Sequence, residues 1–147
     1  LTESMSDIVW LINPQRDSLH DLLGRLGDTS KELLNSAGIK FQTENLQALE
    51  KVHLKMENRQ HLYLIFKEAI NNSIKYSRCS ELILGVKING RNLQLWLKDN
   101  GHGFDLSQEY QGNGLKNIKS RAGKIGGAVK IISETGQGTI IKFCGKI

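Results

Sequence analysis

The chain has 147 residues, which is enough for one domain with a short additional segment. An apolar content of 39% and a charged content of 24% are ordinary for a globular protein and exclude a wholly disordered chain. The formal net charge is +5, but the basic residues are scattered along the sequence, and two Trp, three Tyr and four Phe offer little base-stacking surface. The composition therefore favours a globular domain that suits a polyanion such as a nucleotide triphosphate, and it argues against a nucleic-acid partner.

The cysteine content fits a reducing compartment, and the apolar pattern shows no segment that would span a membrane. Cys79 and Cys144 have neither a CxxC partner nor metal-ligand spacing, so they predict no disulfide framework. The sequence contains no apolar stretch long enough to span a bilayer and no signal peptide. Because it starts inside an apolar pattern without an initiator Met, we expect a cytoplasmic fragment of a longer parent, which leaves room for a membrane anchor elsewhere in that parent.

The first half of the chain predicts helices and two short strands. Residues 1–12 have helical spacing, and Asn13-Pro14 should end that helix. A second helix is expected from Asp17 or Ser18 to Gly38, with leucines repeating at helical spacing. The alternating patterns of residues 39–44 and 51–56 predict strands.

The second half predicts a long helix followed by paired strands. The expected elements are, in order, a helix over 58–77, strands over 81–88 and 92–98 joined at Asn89-Gly90, a loop over 99–114, a helix over 114–125, and strands over 127–134 and 138–144. Because the late strands form hairpins, we predict an α/β fold, a two-layer sandwich of a mixed, mostly antiparallel sheet with about three helices on one face.

The long helix has a polar stripe beside its apolar one. Glu68 and Asn72 are four residues apart and project together, with Lys75 and Tyr76 about one turn later. A carboxylate beside an amide oxygen gives a proton acceptor and hard oxygen ligands of the kind that Mg²⁺ prefers. From this helix alone, a solvated surface is an equally good interpretation.

Three glycine-rich segments follow the helix. In the first, Asp99 ends a strand and can accept a hydrogen bond from an exocyclic amine such as that of adenine, while Gly101 and Gly103 let a flat ligand approach. Each segment taken alone is also typical of an ordinary turn or helix start. The other two segments are Gly112-Asn113-Gly114-Leu115, which opens a helix and offers backbone N–H groups to phosphate, and Gly136-Gln137-Gly138-Thr139, which joins the last two strands.

Taken in order, these motifs carry a family resemblance. An ExxxNxxxKYS helix, a strand ending in DxGxG, GxGL opening a helix and GxGT before a final strand resemble the ATP-binding domain shared by histidine kinases, gyrase, the ninety-kilodalton heat-shock chaperone and mismatch-repair ATPases. The likeness covers roughly residues 36–147. HLYLIFKEAINNSIKYS looks like the N box of a bacterial histidine kinase, and SDIVWLINP is similar to the junction that follows the dimerisation helices in kinases paired with NarL-type regulators. Residues 1–35 would then hold the end of a dimerisation helix and a linker or first helix, and 36–147 the catalytic domain.

The resemblance implies a role for each motif residue, with ATP and Mg²⁺ as cofactors. Glu68 would be the general base and Asn72 the Mg²⁺ ligand, and Asp99 would bind the adenine amine. The remaining residues would contact the nucleotide: Lys75 and Gly112 with Gly114 at the phosphates, Tyr76 beside the nucleotide, Gly101 and Gly103 around the purine, Leu115 in the GxGL motif, and Thr139 near the adenine. The implied partners are ATP, the dimerisation helices of a homodimeric parent, and a response regulator receiver domain.

Several alternatives stay open at this point. Ser18-Leu19-His20-Asp21 imitates the phospho-acceptor motif of the family, but His20 follows the Asn13-Pro14 break and is too near Glu68, so we expect the true acceptor upstream of residue 1. The competing functions are an anti-sigma-factor-type serine kinase, which would transfer phosphate to a serine on a separate protein, and a degenerate ATPase domain that acts as a docking module. SDIVWLINP argues against the first of these, and the intact Glu68, Asn72 and Asp99 argue against the second.

Overall fold

A computed structural model of the chain describes residue 5 and residues 9–45, 49–103 and 114–147. Within these ranges a five-stranded sheet has the strand order β1-β2-β3-β5-β4. The strands are β1 (Lys40–Glu44), β2 (Glu81–Asn89), β3 (Asn92–Asp99), β4 (Ala128–Ser133) and β5 (Thr139–Lys146). The helices are α1 (Leu19–Ser36), α2 (Met56–Asn72) and α3 (Gly114–Lys124).

The sheet is mixed, as predicted. β1 pairs in parallel with β2, and the remaining neighbouring strands are antiparallel. Alternate side chains of β2, β3 and β5 point into the core, where the three helices cover one face of the sheet. The predicted fold class, a two-layer α/β sandwich, is confirmed.

Helix α1 begins where the sequence indicates. Ser18 is the N-cap, and its Oγ accepts a hydrogen bond from the Asp21 N–H at 3.0 Å. The helix is followed by Gly38 at φ +70°, which ends it in the left-handed region that favours glycine. The apolar face of α1 is fully buried in the same core as α2 and the sheet, with Leu19, Leu22, Leu23, Leu26 and Leu34 all inside.

One predicted strand is wrong. Residues 51–56 alternate, yet Leu49–Lys51 forms a 3₁₀ turn and α2 begins at Met56. The intervening backbone pairs with the start of α1 through a single bridge between Ser18 and His53. The backbone hydrogen bonds of this segment are made with residues 17 and 19, at the start of α1, and not with a sheet edge. The segment therefore packs beside the start of α1 and adds no strand to the sheet.

A buried arginine connects the N-terminal segment to α2. Residues 9–11 are helical and the helix stops before Pro14, as predicted, while most of residues 1–8 lies outside the described ranges. Arg59 is only 3% exposed; its Nη2 donates to the Leu11 carbonyl at 2.9 Å and its Nη1 to the Leu54 carbonyl at 3.3 Å. A cation at the carbonyl end of a helix is favourable, so Arg59 fixes the end of the preceding helix on the domain.

His61 on α2 makes stability depend on pH, because it faces Arg121 of α3 at 3.5 Å between Nδ1 and Nη1. Burial lowers the pKa of His61 from its ordinary 6.5, and the charges of Arg121 and Lys124 add to this effect. Below pH 6.5 the unfolded chain therefore binds this proton more readily than the folded one. The contribution of neutral His61 to the stability of the folded chain is therefore complete above pH 6.5 and is lost as the pH falls below it.

We expect His61→Gln to flatten the fall in melting temperature between neutral and mildly acidic pH, measured by thermal unfolding at constant ionic strength. Arg121→Gln should flatten this fall in melting temperature only partly, because burial, the larger cause of the lowered His61 pKa, remains. An unchanged pH slope in His61→Gln would contradict this assignment.

Candidate functional site

The polar stripe of α2 meets the first residue of α3. A Cβ placed on Gly114 would lie 2.6 Å from Glu68 Oε1 and 3.1 Å from Asn72 Nδ2. The two side chains therefore converge on one spot, as their spacing on α2 predicts, and Gly114 leaves that spot open. The N-terminus of α3 faces the carboxylate and the amide directly.

The carboxylate of Asp99 occupies the other end of the site. It is 4% exposed, and its Oδ1 accepts from the Gly101 N–H at 2.9 Å and from the Thr139 N–H at 3.2 Å. Its Oδ2 accepts from Ser73 Oγ at 3.2 Å. An ionised carboxylate has about four acceptor positions, and three are occupied by described residues, so one remains for a ligand donor.

Two glycines of the first motif are required by backbone contacts. A Cβ on Gly101 would lie 2.1 Å from the Ser77 carbonyl oxygen, and one on Gly103 would lie 2.1 Å from the Glu134 carbonyl oxygen. Gly103 is also at φ +64°, which disfavours other residues. Both glycines thus let the loop after β3 lie against the end of the N box and the turn before β5.

Asn100 fixes the same loop from its outer side, a role that the sequence analysis missed. Its Oδ1 accepts from the N–H groups of Ser80 and Glu81 at 2.9 and 3.0 Å, and its Nδ2 donates to Ser80 Oγ. All three contacts are at the start of β2. The asparagine beside Asp99 was the available signal, but its partners lie about twenty positions away and only the fold brings them close.

The N box ends in a π-helical turn, Ser73–Ser77, which was predicted as a continuation of the α-helix. Such turns are rare and occur often at functional sites. Lys75 and Tyr76 are exposed on this turn, with Tyr76 56% exposed, whereas Ser73 and Ser77 are buried. Ser77 Oγ donates to the Ser73 carbonyl at 2.7 Å, so the two missed serines link the turn to Asp99 through Ser73.

The thiol next to this turn is held neutral. Burial raises the pKa of Cys79, partly offset by a hydrogen bond with Ser77, and the negative charge of Asp99 raises it further. Cys79 therefore acts as a buried apolar group beneath the site, and it is a free cysteine, as is the exposed Cys144.

The remaining predicted residues are placed as follows. Thr139 lies beside Asp99, and its Oγ1 is 2.8 Å from Ser133 Oγ. Leu115 is half-buried against the core, so it contributes to packing. Gly112 lies outside the described residues. His20 is exposed on the first turn of α1.

Comparison with known proteins assigns the family. The sequence profile of the histidine kinase-, DNA gyrase B- and HSP90-like ATPases matches residues 57–146, which include the polar stripe of α2, Asp99 and the start of α3. The chain therefore belongs to this ATPase family.

Its curated relatives are sensor kinases. The chain is 37% identical over 83 residues to the sensor histidine kinase LiaS of Bacillus subtilis, a match that covers 56% of this chain and 23% of LiaS. It is 30% identical over 118 residues to the sensor protein VraS of Staphylococcus saprophyticus, covering 80% of this chain and 34% of VraS. The matched region thus spans about a quarter to a third of the length of these relatives.

Solved structures of histidine kinases have the same fold. Acinetobacter baumannii histidine kinase AdeS aligns with a TM-score of 0.73 at 15% identity, covering 97% of this chain and 76% of that one. The catalytic domain of histidine kinase ThkA aligns with a TM-score of 0.73 at 13% identity, covering 88% of this chain and 93% of that one. Full-length ShkA in complex with AMPPNP also gives 0.73, at 19% identity, with coverage of 86% and 29%.

We expect Gly101→Ala to lower stability by about 1–3 kcal/mol, because the new methyl group would overlap the Ser77 carbonyl and backbone must move. Thermal unfolding should show a melting temperature lower by several degrees. The matched control is Gly123→Ala on α3, where nothing lies within 4 Å of the new Cβ. It should be neutral or stabilise by up to about 1 kcal/mol through helix propensity. Equal melting temperatures for the two variants would show that Gly101 is not sterically required.

Proposed function

We propose that this chain is the cytoplasmic ATP- and Mg²⁺-binding catalytic domain of a two-component sensor histidine kinase, whose parent protein has room for a membrane anchor. The parent protein would transfer the γ-phosphoryl group of ATP to a histidine on an upstream dimerisation helix, for relay to a response regulator. The observation that carries the proposal is the convergence of Glu68 and Asn72 on Gly114, with Asp99 at the far end of the same helix-and-loop surface.

The Asp99 end suits the adenine ring. Its free acceptor position would receive the exocyclic amine of adenine, and Gly101 and Gly103 would leave room for the flat purine. Thr139 would line the same slot from β5, since its backbone already contacts Asp99. The complex of ShkA with AMPPNP, an adenine nucleotide, supports the same class of ligand for this chain.

The other end suits phosphates and a divalent cation. The N-terminus of a helix such as α3 favours anions, and Lys75 and Tyr76 are exposed on the π-helical turn that follows α2. Asn72 and Glu68 provide hard oxygen donors, and Gly114 keeps the space beside them open, so these residues fit Mg²⁺, with Asn72 as the ligand. When bound, the ion would neutralise charge on the phosphate oxygens.

The proposed reaction moves one phosphoryl group. The bond between the γ-phosphorus and the bridging oxygen breaks, ADP leaves, and a bond forms from phosphorus to an imidazole nitrogen. Glu68 would take the proton from that imidazole as general base. Such transfers depend chiefly on positioning and charge neutralisation, which a rigid α2 supplies for Glu68 and Asn72.

The arrangement of the parent chain follows from the same assignment. Residues 1–35 would comprise the end of a dimerisation helix with a linker and first helix, and residues 36–147 the catalytic domain. The sensor kinases LiaS and VraS support pairing with a response regulator and a homodimeric parent. The subtype that pairs with NarL-like regulators stays a prediction from residues 6–14.

We expect Asp99→Asn to weaken ATP and ADP binding by about 10- to 100-fold, the loss of a hydrogen bond to a charged acceptor. The amide is isosteric and keeps an oxygen for the Gly101 and Thr139 N–H groups, so the fold should survive. Calorimetric titration with ADP and a non-hydrolysable ATP analogue, with and without Mg²⁺, measures the effect.

GTP serves as a control ligand for this titration. Guanine has a carbonyl where adenine has its amine, so the wild type should prefer ATP to GTP and the variant should lose that preference. A folded wild type that binds neither nucleotide would refute the kinase assignment and favour a docking module.

We expect Glu68→Gln to keep nucleotide affinity within a few fold but to slow phosphohistidine formation by about 10²- to 10⁴-fold, because only the proton acceptor is removed. Affinity is measured on this chain and transfer in the parent protein that carries the acceptor histidine. Asn72→Asp, which keeps an oxygen donor, is the control and should retain Mg²⁺-dependent binding. Full transfer by Glu68→Gln would exclude Glu68 as the base.

A further inference from the structure

The face of the sheet opposite the helices concentrates the positive charge of the chain. Its outward-facing strand positions, called here the open face, include six lysines and two glutamates, with no arginine. This gives the open face a charge of +4, whereas the whole chain, with 20 basic and 15 acidic residues, has +5. The lysines are Lys40, Lys87, Lys98, Lys130, Lys142 and Lys146, and the glutamates are Glu44 and Glu81.

Within the described part of the chain none of these lysines forms an ion pair within 4 Å, although Lys40 is the cross-strand partner of Glu81. Lys130 and Lys142 are direct cross-strand partners, an arrangement of like charges that destabilises an isolated sheet. Lys142 Nζ lies 5.7 Å from the centre of the Trp96 ring, and Trp96 itself lies flat on Gly85. The unbalanced charge therefore surrounds an aromatic centre.

Apolar side chains fill the space between the lysines. Ile140 and Ile132 are cross-strand partners, Lys98 separates Ile140 from Ile83 in the same row, and Ile132 is 45% exposed. The strand spacing and rise give the open face an area of roughly 600 Å². It is thus a broad surface on which cations surround Trp and Ile side chains.

We propose that the open face is a docking surface for an anionic phospholipid bilayer. The exclusive use of lysine favours lipid over a protein partner, because protein interfaces are enriched in arginine and depleted in lysine. Lysine is a flexible point charge suited to diffuse attraction by a charged plane, whereas arginine recognises individual carboxylates through two hydrogen bonds.

The arrangement of the cations points the same way. They are distributed over all five strands and not collected in a cleft, so a flat surface can meet several of them together. Tryptophan is favoured at the boundary between headgroups and acyl chains, which matches Trp96 at the centre. This inference uses residues outside the nucleotide site and stands or falls independently of it.

The test is co-flotation of the full chain with vesicles of phosphatidylcholine alone and of phosphatidylcholine mixed with phosphatidylglycerol. We expect binding only to the mixed vesicles, with a steep loss as salt is added. The variant Lys130→Gln/Lys142→Gln/Lys146→Gln should bind about 100-fold more weakly, at about fivefold for each lysine. The matched control is Lys31→Gln/Lys51→Gln/Lys55→Gln, which removes the same charge from exposed positions on or near the helices and should bind as the wild type does.

A second readout locates the contact. In a Trp10→Phe background Trp96 is the sole tryptophan, and brominated lipid in the mixed vesicles should quench its fluorescence. Nucleotide titration of both lysine variants checks that the ATP site is intact, which separates this test from that of the kinase function.

Three outcomes would overturn the proposal. Absence of binding to the mixed vesicles would exclude the lipid surface. An equal loss of vesicle binding in the two triple variants would show that binding depends on the net charge of the chain and not on the open face. Equally tight binding of short duplex DNA, with displacement of the vesicles, would identify the open face as a nucleic-acid surface instead.

Discussion

The carboxylate of Asp99 is the constraint on which the site and much of the core depend. A buried anion is costly unless donors surround it, and Asp99 receives them from three distant parts of the chain: the π-helical turn, the loop after β3 and the start of β5. The two backbone donors, in the loop after β3 and at the start of β5, lie at or next to glycines at which the backbone approaches closely. A Cβ on Gly101 would strike the Ser77 carbonyl and one on Gly138 the Asp99 carbonyl. The contacts that surround Asp99 in the candidate site therefore also join the sheet to the helices.

Most of the fold could be predicted because its elements are periodic and their ends are marked. Ser18 and Gly38 bound α1, and Asn89-Gly90 joins β2 to β3, as expected. The segment over 51–56 was predicted wrongly because alternation describes side-chain burial and does not reveal whether a sheet edge is available. Of its apolar residues only Leu54 is buried, whereas Val52 is half-buried and Met56 is 51% exposed, so the alternating pattern did not mark a strand.

The candidate site divides in the same way. Glu68, Asn72 and Asp99 could be predicted because their motifs follow one another in the order of a known ATPase family, although each motif alone is also typical of an ordinary surface or turn. Ser73 and Asn100 could not, because they bind through contacts with Asp99 and with the start of β2 that exist only after folding. The lysines of the open face are a similar case. They are scattered in sequence, and only the alternation of five neighbouring strands gathers them on one side.

Arg59 has a consequence for how this protein can change over time. It connects the end of the preceding helix, through the carbonyl oxygen of Leu11, to the segment before α2, through the carbonyl oxygen of Leu54, and every residue type offers that same oxygen. Substitutions at positions 11 and 54 thus leave the acceptors in place, and none of them can compensate for the loss of the guanidinium. Among descendants of this sequence, the contacts of Arg59 would therefore produce no correlated substitutions at positions 11 and 54. They would be visible only as an arginine that is retained at position 59.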